Sequence, residues 1–171
     1  EALRLVKDAG MIVESSLILG TPNETPESIH ETFKLALEYD SDFMHFLFLA
    51  PWPYANLYES VKDYIEVYDY SKYNLVEPII RPTALSLDEI RSAILDCYRG
   101  YYMRKAPEYY TEPDAFKREY LKRSMHLIMR NSFLTKLMKG AGAFHPMPAR
   151  STARNQSVES PAASPAVPAA R

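Results

Sequence analysis

Two apolar segments on either side of a well-marked helix constrain this fold more than any other feature. Residues 11–19 and 43–50 are short, largely apolar runs, as expected for strands of a parallel sheet that is buried on both faces. Between them, Thr25 followed by Pro26 predicts a helix start, because threonine caps a helix and proline fits its first position. The alternation of helices and strands therefore predicts an α/β fold.

The chain divides into three parts by its composition. We expect residues 1–60 to form the last βα units of an α/β barrel or doubly wound sheet, and residues 61–140 to form a loop and a helical extension. In that extension, a capping box at residues 86–89 starts a helix to about residue 105, and a last helix runs over about residues 113–139. Residues 141–171 are rich in alanine, serine and proline, which predicts a disordered tail.

Charge and cysteine content restrict the partners of the chain. Its 171 residues carry a formal net charge of −2, so there is no electrostatic argument for nucleic acid. No apolar run reaches the roughly 20 residues of a transmembrane helix, and no signal peptide is present, which predicts a cytoplasmic protein. Cys97 is the single cysteine, so no metal site can form from thiolates of this chain alone. Because Glu1 already lies in a helical pattern, we expect a missing N-terminal part of the same protein.

Strand alternation places Glu14, Ser16, Ile18 and Gly20 on one face of the first strand. One interpretation is a polar lumen that the backbone approaches closely at its upper end, because sites of βα barrels lie at the carboxyl ends of strands. The other is that Glu14 is a paired structural charge and Gly20 a turn residue. The same choice applies to His45, which is either a satisfied core histidine or a lumen-facing substrate contact.

A cluster of tyrosines also admits two interpretations. Aromatic faces stack on planar ligands, so the cluster could line a flat macrocycle, but a stripe at helical spacing more often belongs to the core. Cys97 lies on the same apolar helix face and is expected to be a small buried hydrophobe. The cluster consists of Tyr98, Tyr101, Tyr102, Tyr109 and Tyr110.

The run Ile18-Leu19-Gly20-Thr21-Pro22-Asn23-Glu24-Thr25 resembles the fifth-strand signature of radical SAM proteins. The resemblance implies the C-terminal portion of a partial (β/α)6 barrel that binds S-adenosylmethionine. It implies that Ile18 packs on the adenine, that Ser16 stands where the family has an earlier glycine, and that Gly20 lets the backbone approach the cofactor. It also implies adenine contacts from the end of the next strand, at Leu49, Ala50 and Pro51.

The following loop narrows the resemblance. Residues 51–55 and 69–78 resemble the anaerobic magnesium-protoporphyrin monomethyl ester cyclases and their cobalamin-binding relatives. This implies a parent enzyme that cleaves S-adenosylmethionine with a [4Fe-4S] cluster and acts on a small molecule, such as a tetrapyrrole ester, with or without cobalamin. The three-cysteine cluster motif is absent from this sequence, so the cluster ligands and any cobalamin domain would lie outside it. By itself the chain is expected to be inactive; the alternative is a non-catalytic remnant or helical interaction module.

Overall fold

The computed structural model describes residues 1–131, which form a mixed α/β fold as predicted. Two 3-10 turns, Lys62–Tyr64 and Tyr70–Lys72, lie in the long segment between residues 61 and 87. The helices and strands, in chain order, are α1 (Ala2–Asp8), β1 (Glu14–Leu19), α2 (Pro26–Tyr39), β2 (Phe43–Phe48), α3 (Leu57–Val61), α4 (Leu87–Thr111) and α5 (Ala115–Asn131). The predicted tail, residues 141–171, lies outside the described residues. Within residues 1–131, no helix is both long and apolar enough to cross a lipid bilayer.

The two strands pair in parallel, as the βαβ pattern predicts. Ser16 lies opposite His45, and Ile18 lies opposite Leu47. The helix between the strands begins as the sequence indicates: the Thr25 hydroxyl accepts a hydrogen bond from the Ser28 N–H, and the Ser28 hydroxyl receives the Thr25 N–H in return. Such a reciprocal cap satisfies two donors that a helix start otherwise leaves unpaired.

Helices α2 and α4 cover one face of this sheet. Leu19, Met44, Phe46 and Phe48 point from the strands into the main core. The helices contribute side chains that are almost fully buried at the same place, namely Ile29, Ala36, Ile90, Ile94, Cys97 and Tyr101. Burial of this apolar surface is the main stabilising contribution to the sheet–helix layer.

The outer edge of β2 is covered by tyrosine side chains of α4 and by a loop. The Tyr102 hydroxyl donates to the Met44 carbonyl at 3.0 Å and lies 3.2 Å from the Met44 N–H, and the Phe48 N–H donates to the Leu75 carbonyl at 2.9 Å. Burial raises the pKa of Tyr102 to about 12, which keeps its hydroxyl protonated. An unpaired strand edge is a template for association, and these contacts remove it on this side of the sheet.

The tyrosine cluster serves mainly as core. The hydroxyls of Tyr101 and Tyr109 donate to the backbone carbonyls of Ser41 and Asp42, and both rings are 2% exposed. Tyr110, by contrast, is 70% exposed. The structure therefore supports the core interpretation for all but the last member of the cluster.

Helix α4 is longer than the sequence predicted. It continues through Pro107 to Thr111, whereas the predicted end was near residue 105. The missing proline N–H leaves the carbonyl of Met103 without its helical partner, but both residues are at least partly exposed, so water can replace that bond. Beyond the proline, the Tyr109 hydroxyl bond to the Asp42 carbonyl holds the last turns against the sheet. Tertiary contacts here outweigh the local preference of proline.

The second predicted helix of the extension begins later than expected. Helix α5 starts at Ala115, two residues after the predicted position, and the Asp114 carboxylate accepts from the Lys117 N–H at its first turn. The described residues end at 131, within the predicted range of 113–139. The segment between β2 and α4 forms a second small core from Ala50, Val61, Ile65, Tyr73, Ile79 and Ile80.

Candidate functional site

The second face of the sheet carries the residues that the sequence assigned to a site. We call this surface the open face and define it as Glu14, Ser16 and Ile18 of β1 with His45 and Leu47 of β2. All five are exposed or half-buried, and Ile18 is 56% exposed. At the lower end of the same face, Phe43 is buried against Tyr109 and Leu121. The alternation predicted for β1 is therefore present for Glu14, Ser16 and Ile18.

Glu14 and His45 are in contact across the two strands of the open face. The distance between Glu14 Oε1 and His45 Nε2 is 2.8 Å, and the two side chains are 63% and 34% exposed. His45 thus lies on the open face rather than in the core, contrary to the core interpretation. Glu14 has the partner that the paired-charge interpretation requires, and it also lies on the surface that the lumen interpretation describes.

The carboxyl ends of the two strands bring the other predicted residues together. The Leu49 N–H donates to the Leu19 carbonyl at 2.8 Å, which places Gly20 beside Leu49. Leu49 is half-buried, while Ala50 and Pro51 are buried. Ser16 and Ile18 lie on the open face below this edge, with Ile18 nearest to it.

Gly20 has a backbone conformation that other residues adopt only under strain. Its φ is +87°, in the region where a side chain is disfavoured. A Cβ at this position would lie 3.4 Å from Ile90 Cδ1 and 3.7 Å from Phe48 Cδ1. Gly20 is buried, and its N–H already has a partner within the chain. A side chain at Gly20 would point to Ile90 and Phe48 of the main core and not to the open face, which agrees with the interpretation of Gly20 as a turn residue.

Glu24 is that partner, and its role was missed in the sequence even though the signature contains it. Its carboxylate accepts the Gly20 N–H at 3.0 Å and the Ser28 hydroxyl, and the residue is 6% exposed. The carboxylate also lies just before the N-terminus of α2, where the helix dipole favours negative charge. Glu24 therefore ties the end of β1 to the start of α2.

Replacing Glu24 with alanine is expected to destabilise the chain by about 2 to 3 kcal/mol, because it removes hydrogen bonds to a charged group and leaves the buried Gly20 N–H unpaired. Urea unfolding measures the loss, and hydrogen exchange of the Gly20 amide should accelerate. Glu24→Gln is the control, since it keeps one oxygen for Gly20 and an amide for the Ser28 hydroxyl; we expect a loss below about 1 kcal/mol. Equal losses for the two variants would contradict this role.

Cys97 does not have the environment of a reactive or ligating thiol. It is 1% exposed in the main core, and burial, with smaller contributions from Asp96 and Glu24, raises its pKa to about 12. A metal ligand must be a thiolate, so Cys97 does not fit an iron–sulfur cluster. Among residues 1–131, no three His, Cys, Asp or Glu side chains are grouped closely enough to hold a metal ion.

Comparison with known proteins shows which named proteins the chain resembles. No protein-family model matches the chain. The curated proteins that it resembles are named as cyclases and as a methyltransferase. The chain is 38% identical over 122 residues to the anaerobic magnesium-protoporphyrin IX monomethyl ester cyclase of Cereibacter sphaeroides, covering 71% of this chain and 20% of that protein. The predicted resemblance to these cyclases is therefore confirmed.

The chain is also similar to a second cyclase and to a methyltransferase. The cyclase of the same name from Rubrivivax gelatinosus is 34% identical over 136 residues, which cover 79% of this chain and 24% of that protein. An uncharacterized methyltransferase of Pyrococcus horikoshii is 26% identical over 106 residues, which cover 61% of this chain and 23% of that protein. The chain thus spans about a fifth to a quarter of the length of the curated relatives it matches.

Proposed function

We propose that the chain is the C-terminal part of a cobalamin-binding-type radical SAM enzyme, and that the parent protein acts on a magnesium-protoporphyrin monomethyl ester. The sequence identity to two cyclases over most of the chain supports this proposal. The chain would contribute the last βα units of a partial (β/α)6 barrel from residues 1–60. The parallel pairing of β1 and β2, with α2 and α4 packed on one face, is compatible with that arrangement. The described part of the helical extension, residues 61–131, would follow this barrel portion.

The observation that carries the proposal is the exposure of Ile18. Isoleucine is among the residues most often buried, yet Ile18, the residue before the last of β1, is 56% exposed beside the half-buried Leu47. Such an apolar pair offers a flat surface to a planar ring, and we propose that the adenine of S-adenosylmethionine packs there. Gly20 and the backbone of Leu49, Ala50 and Pro51 would border the adenosine at the strand ends, with Ser16 below it.

The residues of this chain would bind and orient the adenosine rather than carry out the chemistry. A [4Fe-4S] cluster held by cysteines elsewhere in the parent protein would supply the electron for reductive cleavage of S-adenosylmethionine. Cobalamin would bind in another domain of the parent. Covering the exposed part of Ile18 would contribute binding free energy through removal of apolar surface from water. Glu24 would keep the Gly20 backbone in place.

Ile18→Ala in the full-length protein tests the proposal. About half of this side chain is open to a ligand, so the affinity for S-adenosylmethionine should fall roughly 5- to 12-fold. The free energy of unfolding should change by less than about 1 kcal/mol, because an exposed strand side chain contributes little to folding. Calorimetric titration gives the affinity, and urea unfolding of the same variant gives the stability.

Leu5→Ala is the matched control, because Leu5 is 59% exposed on α1, away from the strands. It should leave the affinity for S-adenosylmethionine unchanged. If Ile18→Ala also leaves it unchanged, the proposed adenine contact is wrong. If the full-length protein fails to bind S-adenosylmethionine at all, the non-catalytic alternative replaces the enzyme proposal.

Methyl transfer is the second candidate, because one relative is named an uncharacterized methyltransferase. The cyclase proposal has the stronger support, since identity to the two cyclases is higher and covers more of this chain. If the protein is given a tetrapyrrole ester, the two candidates predict different products. Mass spectrometry would detect an added methyl group in one case and ring formation in the other.

A further inference from the structure

The open face has a polar side as well as the apolar pair Ile18 and Leu47. His45 lies one step before Leu47 on the same side of β2, and Glu14 holds it from β1 through the 2.8 Å contact to Nε2. Successive side chains on one face of a strand are about 7 Å apart, so the imidazole lies about one ring width from Leu47. A second ligand that lies beside the adenine at this face would therefore reach His45 with a short polar arm.

Two polar groups on this side can form a hydrogen bond with a ligand. Among residues 1–131, His45 Nδ1 has no hydrogen-bond partner, because the contact with Glu14 uses Nε2. The Ser16 hydroxyl, directly opposite His45 in the register, also has none within the described residues. When both nitrogens carry protons, imidazole donates from each of them, so one can bind Glu14 while the other binds a ligand oxygen.

The contact between Glu14 and His45 is not well explained by a contribution to the stability of the fold. Ion pairs between partly exposed side chains contribute little, typically between about 0 and 1 kcal/mol. Glu14 and His45 are 63% and 34% exposed, and within residues 1–131 no other charge contacts them. The arrangement instead fixes the direction of the ring, as a carboxylate does for histidines that bind ligands or transfer protons.

We infer that His45, oriented by Glu14 and accompanied by Ser16, binds a carboxylate of the tetrapyrrole substrate at the open face. This inference rests on the proposed function. Magnesium-protoporphyrin IX monomethyl ester has one propionate esterified and one free, and the free one is the carboxylate in question. The macrocycle would approach the same face on which Ile18 supports the adenosine. A ring N–H of His45 and the Ser16 hydroxyl, next to the adenosine, suit a ligand with one acidic arm.

The ester state of the substrate provides the test. Binding of magnesium-protoporphyrin IX monomethyl ester and of its dimethyl ester to the full-length protein is measured by tryptophan fluorescence quenching. Wild-type protein should prefer the monomethyl ester, and His45→Gln should weaken its binding about 10- to 150-fold, the range expected for a lost hydrogen bond to a charged carboxylate. The same variant should bind the dimethyl ester as the wild type does. Glu14→Gln should cause a smaller loss of the same kind.

Control measurements determine whether His45 contacts the free carboxylate, the cofactor or neither. His30→Gln, on the exposed side of α2, should change neither ester affinity. S-adenosylmethionine affinity should stay at the wild-type value in His45→Gln; a loss there would assign the histidine to the cofactor and overturn the inference. An equal loss for both esters, or no loss for either, would also overturn it. Failure of the wild-type protein to bind either ester would instead contradict the proposed substrate.

Discussion

Replacing Gly20 with valine is expected to destabilise the chain by about 3 kcal/mol or more. At a φ of +87°, a β-branched residue is strained, and a left-handed conformation costs about 1 to 2 kcal/mol even for a simple side chain. The branched methyl groups would extend from a Cβ that already lies 3.4 Å from Ile90 Cδ1, and overpacking typically adds about 1 to 3 kcal/mol. Urea unfolding, with an unchanged dependence on denaturant, measures the loss.

Gly20→Ala separates the two contributions. Its Cβ makes only ordinary contacts, so its cost should be the backbone strain, about 1 to 2 kcal/mol. A valine variant no less stable than the alanine variant would show that Ile90 and Phe48 do not crowd this position. An alanine variant as stable as the wild type would contradict the backbone conformation itself.

Replacing Asp42 with alanine is expected to cost about 3 to 5 kcal/mol, the range for removing one partner of a buried ion pair. Its Oδ2 accepts the Val13 N–H at 2.8 Å and lies 3.3 Å from Lys117 Nζ. The side chains of Asp42 and Lys117 are only 7% and 12% exposed. The variant would leave the buried Val13 N–H unpaired and the Lys117 ammonium with only the longer contact, 3.9 Å, to Glu112, and α5 would lose a polar contact with the sheet. Thermal and urea unfolding both report the loss.

Two further variants at this contact show whether the lost charge or the lost hydrogen bond causes the destabilisation. Asp42→Asn keeps an oxygen for the Val13 N–H and removes only the charge, so its loss should be smaller than that of alanine. Combining Asp42→Asn with Lys117→Met should recover stability relative to Asp42→Asn alone, because no ammonium then remains buried beside a neutral group. If the double variant loses the sum of the two single losses, Asp42 and Lys117 do not interact energetically.

Variants of Gly20 and Asp42 are not suitable for testing ligand binding at the proposed site. Gly20 and Asp42 lie at opposite ends of the sheet, and variants at either position reduce the folded population. Any loss of ligand binding in such variants would include a contribution from unfolding. Ile18 and His45 are partly exposed on the open face, so they are the positions at which binding can be measured apart from stability.

Local signals in the sequence determined where the main elements begin. Thr25-Pro26 and the Ser86–Glu89 box were correct helix starts because a capping side chain bonds to backbone only three residues away. The alternation of Glu14, Ser16 and Ile18 was correct because successive strand side chains point to opposite faces whatever surrounds them. The resemblance to the cyclases also depends only on residues and their spacing, and it is confirmed by identity over most of the chain.

Only the tertiary structure decided which of these residues meet. Glu14 and His45 are 31 positions apart in sequence, and their pairing depends on the register of two parallel strands. Helix α4 passes Pro107 because Tyr109 bonds to the Asp42 carbonyl, a contact across 67 positions. The outer edge of β2 is covered by Tyr102, which no strand pattern predicts. Spacing along the chain constrains caps and faces, whereas contacts between distant segments depend on how the helices pack against the sheet, and that packing is a property of the whole core.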